Sequence, residues 1–86
     1  MADANYAIFA YSRKGFDFHV YSDRVEVSER KMLKPEKHTY LISDIARVDI
    51  KDTPTRLSIV MKDGTESAYR LSTNATAARN AITELL

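Results

Sequence analysis

Leu57 to Leu86 reads LSIVMKDGTESAYRLSTNATAARNAITELL, and a change of period inside it decides the fold. Leu57, Ile59 and Met61 recur at every second position, the spacing of one face of a strand. Asp63-Gly64 follows as the strongest hairpin signal in the chain. It predicts a type I′ turn, with positive φ at both central positions. Thr65 to Leu71 returns with Tyr69 and Leu71 inward. Ser72-Thr73-Asn74 then offers three N-cap candidates in a row. Beyond them Ala75, Ala78, Ile82 and Leu85 recur at spacings of three and four, one stripe of a helix predicted over roughly 74–86.

Upstream, the period of two dominates. Phe16, Phe18 and Val20 fall on one strand face and Asp17, His19 and Tyr21 on the other. Ser22-Asp23 connects this strand to Arg24–Arg30, where Val25 and Val27 point inward. Such one-sided alternation belongs to antiparallel sheets with one wet face. Tyr6 to Tyr11 supplies an earlier strand, and Ser12-Arg13-Lys14-Gly15 a hairpin turn in which Gly15 takes positive φ. Lys31 to Lys37 holds Pro35 and three lysines and reads as a loop. His38 to Ile42 is β-rich, Ser43-Asp44 interrupts it, and Val48 and Ile50 restart the alternation. Asp52-Thr53-Pro54-Thr55 is a turn cluster. The expectation is one domain over 1–86: about seven strands across roughly 6–71, forming an antiparallel barrel or sandwich capped by the C-terminal helix.

Composition bounds the function. Eighty-six residues make a single small domain, 44% hydrophobic and 29% charged. Cysteine is absent, which removes disulfides, thiol catalysis and Cys-based metal sites. Thirteen basic against twelve acidic residues leave a net charge of +1, so no strong global field draws the chain to nucleic acid. The first ten residues lack the basic region of a secretory signal, and the longest apolar runs fall far below the ~18–20 residues of a membrane span. The expected location is cytoplasmic, with peripheral membrane contact as the second possibility.

Three stretches carry a resemblance. FHVYSDRVEV (Phe18 to Val27), ISDIARVDI (Ile42 to Ile50), and the final hairpin with its helix resemble the pleckstrin-homology-like superfold, in particular short bacterial PH domains and their GRAM-type relatives. The resemblance implies a helix closing one corner of a β-shell and a ligand-binding open corner formed by loops. Members of that superfold bind phosphoinositide heads, peptides or protein surfaces, or assemble through strand edges. Lys14 stands where the lipid binders carry a lysine. Asp17, Phe18 and His19 stand where their basic-x-Arg pair would be, which turns the expectation from lipid toward protein.

Two groups of candidate residues follow. In the topology the resemblance implies, Arg30, Lys31, Lys34 and Lys37 share a rim with Arg13 and Lys14, a basic patch suited to an acidic partner or anionic lipid. Met32 and Leu33 add apolar side chains to that exposed segment. Tyr6, Phe9 and Tyr11 place more aromatic surface on one strand than a small core needs, a candidate protein interface. Asp17 and His19 share a strand face, yet no third or fourth metal ligand is local, so neither metal nor cofactor is expected. No Gly-x-Ser-x-Gly, phosphate-loop or His-Glu-x-x-His pattern occurs, so the expectation is a non-enzymatic module for protein interaction or self-assembly, with anionic-lipid binding as the alternative.

Overall fold

In a computed structural model, residues 6–32, 34–51 and 55–86 are described. Residues 52–54 of the expected turn at 52–55, and Leu33, lie outside them. Four strands, β1 (Phe9–Arg13), β2 (Phe16–Val20), β3 (Arg24–Lys31) and β4 (Lys34–Leu41), pair consecutively into one antiparallel sheet. A 3-10 turn at Ile42–Asp44 leads to a second antiparallel sheet of β5 (Ile45–Lys51), β6 (Arg56–Met61) and β7 (Glu66–Arg70). The helix α1 spans Ala75–Thr83. The seven strands and closing helix match the reading of the sequence. The barrel does not: among the described residues the strands form separate sheets of four and three.

Alternation places the core between the sheets. Phe16, Phe18 and Val20 of β2 and Val25 and Val27 of β3 face Val48 of β5, Leu57 and Ile59 of β6, and Tyr69 of β7. The α1 stripe completes the cluster. Ala75, Ala78 and Ile82 are fully buried, and the two alanines let the helix approach the strands closely. The helix touches β5 and β6 of one sheet and β1 and β2 of the other, so it bridges both. Fully burying a side chain of Ile82's size contributes about 1.5–3 kcal/mol.

Three local expectations are corrected. The Asp63–Gly64 turn is not type I′, because positive φ falls on Gly64 (+94°) and not on Asp63. Gly64 N–H donates to the Met61 carbonyl at 2.9 Å, and the Asp63 carboxylate accepts the Thr65 N–H at 2.9 Å. That local bond favours a longer turn in which glycine alone takes the left-handed conformation. The three N-cap candidates give no side-chain cap. They form a 3-10 turn of their own (Ser72–Asn74), and its carbonyls receive the first helical N–H groups, Ala75 N–H bonding Ser72.

Lys31–Lys37 is not a loop: β3 runs to Lys31, β4 starts at Lys34, and the two strands pair in unbroken register from Arg24↔Leu41 to Lys31↔Lys34. Arg30 N–H bonds the Gly15 carbonyl at 2.8 Å, and Tyr21 N–H bonds the Arg24 carbonyl at 2.7 Å. The even-numbered residues of β3 therefore turn their main-chain groups to β2, and the odd-numbered ones to β4. By the register, Lys34, Glu36, His38 and Tyr40 bond β3, while Pro35, Lys37, Thr39 and Leu41 turn theirs to the open side of the sheet. Pro35 sits where a strand tolerates proline, because no partner needs its missing N–H.

Candidate functional site

Along β3 and β4 the ladder continues after the core has ended. Val25 and Val27 are fully buried. Further out Glu29 is half-buried and Arg30 and Lys31 are exposed. On β4 every residue from Lys34 to Thr39 is exposed, and Tyr40 alone is half-buried. The hairpin, an arm rooted in the core by Tyr40, is thus the outer edge of the four-stranded sheet: β2 pairs β3 as far as Phe16↔Glu29 and Gly15 bonds Arg30, so only its tip at Lys31, Met32 and Lys34 passes the end of β2. Tyr40 packs against the core cluster, and its hydroxyl hydrogen-bonds that of Tyr69. Burial and this hydroxyl pair push the Tyr69 phenol far above its ordinary value of 10.0, so it stays neutral.

Met32 stands at the tip, 98% exposed and with φ at +43°. A bulky residue in the left-handed region costs roughly 1–2 kcal/mol. Lys31 pairs with Lys34 just beyond it, and short hairpin turns favour positive φ. An open hollow of about 600 Å³ beside the tip is lined by Lys31, Met32, Lys34 and Glu36.

The six basic candidates divide. Lys14, Arg30, Lys31 and Lys34 lie at one end of the sheet. Lys14 belongs to the β1–β2 turn, whose Gly15 bonds Arg30. Lys31 faces Lys34 as the last pair of the hairpin and reaches Glu36 at 3.4 Å. Arg13 instead packs over the Phe16 ring, 4.2 Å from its centroid, and donates to the Arg70 carbonyl at 2.5 Å. It fastens β1 to the end of β7. Lys37 lies on the outer face and pairs with Glu26 at 3.1 Å.

Glu26 also accepts from Arg24 at 2.5 Å. Those two cations hold its carboxyl below the ordinary 4.5, the Arg24 bond contributing most. The same bond raises the Arg24 guanidinium. On the second sheet Ser58 donates to Glu66 at 2.5 Å, and Lys51 pairs with that carboxylate at 3.2 Å; together they lower its pKa, Ser58 first.

The aromatic candidates also divide. Phe9 and Tyr11 share the inward face of β1 and meet Phe18 and Phe16 edge-on, with centroids 6.3 Å and 6.2 Å apart. Tyr6 precedes the strand and is 75% exposed. Leu33 lies outside the described residues.

What the sequence did not point to is the open side of β4. Among the described residues no strand pairs with it. Its tip half carries Lys34, Pro35 and Lys37, devices that blunt an edge. Its base half, His38-Thr39-Tyr40-Leu41, carries neither proline nor lysine, and Leu41 is 48% exposed. Parity along His38–Ile42 held the signal, but reading Lys31–Lys37 as a loop removed the partner that defines the edge. Compared with known proteins, the chain matches no family model, and no curated protein or solved structure matches it.

Proposed function

We propose that the chain is a non-enzymatic interaction module of pleckstrin-homology-like architecture, which joins other proteins or further copies of itself through the β3–β4 arm. The observation that carries the reading is the arm: a continuous ladder whose outer half contributes no buried side chain to the core. Four antiparallel strands, three more and a C-terminal helix support the architecture. A strand with unpaired main-chain groups binds by strand addition, and an exposed methionine adapts to apolar surfaces. The test is capture from the native host with the wild-type chain and with Met32→Asp, Lys31→Glu and Tyr6→Lys variants. Expected is a protein partner lost with the Met32 and Lys31 variants and kept with Tyr6→Lys. Identical capture by every variant contradicts the reading.

A second reading has its own observation: Met32 projects between Lys31 and Lys34, an apolar tip in a basic collar. That arrangement suits an anionic membrane surface, where each cation contributes about 1 kcal/mol. Vesicle binding that fades with added salt, and disappears in a Lys31→Glu/Lys34→Glu double variant, favours it over protein docking. Among the described residues no helix is long and apolar enough to cross a membrane.

A further inference from the structure

We infer that two copies of this chain pair β4 against β4 in antiparallel fashion, with Thr39 opposite Thr39 of the second copy, joining two four-stranded sheets into one continuous sheet. The inference rests on the arm as the interaction element and names its partner. Register parity limits the possibilities. The main-chain groups on the open side belong to Pro35, Lys37, Thr39 and Leu41, and only these form the new ladder. A two-fold axis at Lys37 sets ammonium groups directly across from each other, which is unfavourable. An axis at His38 opposes Lys37 with Thr39 and Leu41 with Pro35, whose nitrogen has no hydrogen to give, so that ladder loses a bond on each side. An axis at Thr39 opposes Thr39 with Thr39 and Lys37 with Leu41, and sets His38 beside Tyr40 of the other copy. No like charges then stand directly opposed within the Lys37–Leu41 pairing. The exposed Leu41 is covered by the aliphatic stem of a lysine, and threonine pairs across strands are favourable.

A second copy fits this edge because the Thr39 register leaves no like charges opposed and covers the exposed Leu41 on both chains. The same five residues, Lys37 to Leu41, supply both sides, as a two-fold interface requires. The tip halves carry Pro35 and Lys34 and stay outside the pairing, so the contact closes as a dimer rather than extending along the edge. Five residues a side fall short of the roughly 1,600 Å² of a standard interface, so the dimer is weak and concentration-dependent.

Sedimentation velocity on the full chain, from micromolar to about 1 mM, tests this. The Thr39 N–H points to the open side, so Thr39→Pro removes a donor from the dimer ladder and none from the β3–β4 ladder. Thr39→Lys opposes two ammonium groups at the axis, and Thr39→Val preserves the pairing. Expected are dimers for wild type and Thr39→Val, and a dissociation constant raised at least about tenfold in Thr39→Pro and Thr39→Lys. Far-ultraviolet circular dichroism checks that each variant is folded, and Thr39→Lys, on an exposed position, serves if the proline variant is not. A wild-type chain monomeric throughout, or a dimer indifferent to both Thr39→Lys and Thr39→Pro, overturns the inference. If host capture through the arm persists in a monomeric chain, only self-pairing has failed. If capture is also indifferent to the arm, the interaction reading fails with it.

Discussion

The two ends of the four-stranded sheet use the same backbone arrangement for different ends. At the base, Phe18, Val20, Val25 and Val27 are fully buried under the second sheet and the helix. At the tip, Arg30, Lys31, Lys34 and Pro35 are exposed while the same antiparallel ladder runs on unbroken. Hydrogen bonds alone do not require a core, and a ladder carried beyond one holds little of the stability, because a net main-chain bond is worth about 1 kcal/mol or less beside water. What that outer stretch offers is surface. The contrast separates residues that keep the chain folded from residues free to meet something else.

Ile82→Ala strikes the base and gives the largest effect. The site is fully buried in the cluster that joins both sheets to α1. A loss of about 2–5 kcal/mol is expected, read in urea melts as a lower midpoint. For a domain of this size each kcal/mol moves Tm by about 4–8 °C. The same measurement on Thr39→Val, on the open edge, is expected to stay within about 0.5 kcal/mol of wild type. Equal losses at the two sites would erase the contrast.

Acid sharpens it next. The Glu26 carboxyl is lowered in the fold by Arg24 and Lys37. The unfolded chain therefore binds the proton first, and the contribution present above the ordinary 4.5 is lost as pH falls through the lower folded value. Glu26→Gln is expected to flatten the acid limb of stability below about pH 4.5, measured as urea midpoint against pH. An acid limb unchanged by the substitution contradicts the pairing. The smallest effect belongs to the tip: Met32→Gly relieves a left-handed side chain and is expected to stabilise by about 0.5–1 kcal/mol. Destabilisation there means that the methionine packs on its own chain.

Most of the base was legible from the residues. Phe16-Phe18-Val20, Val25-Val27 and Leu57-Ile59 alternate because one sheet face is buried, and Ala75-Ala78-Ile82 keep helical spacing because one stripe is. The arm was not legible for the same reason reversed. With neither face buried, Lys34 to Thr39 have no pattern to follow, and Pro35 reads as a breaker until the register turns its nitrogen away from β3. Sequence placed Arg13 with the basic rim, yet its guanidinium spans from β1 to β7 through contacts far apart in the chain. Phe9 and Tyr11 share an inward face that their spacing already implied, whereas Tyr6 stands outside the strand.

The open side of β4 is tested most directly by amide hydrogen exchange, residue by residue, in dilute solution and again near 1 mM. In dilute solution the account predicts protection at His38 and Tyr40, whose N–H groups bond β3, and fast exchange at Lys37 and Thr39, whose N–H groups face outward. At high concentration Thr39 gains protection. Thr39 protected as strongly as Tyr40 at every dilution would show the edge already covered by the chain itself, and would contradict the account.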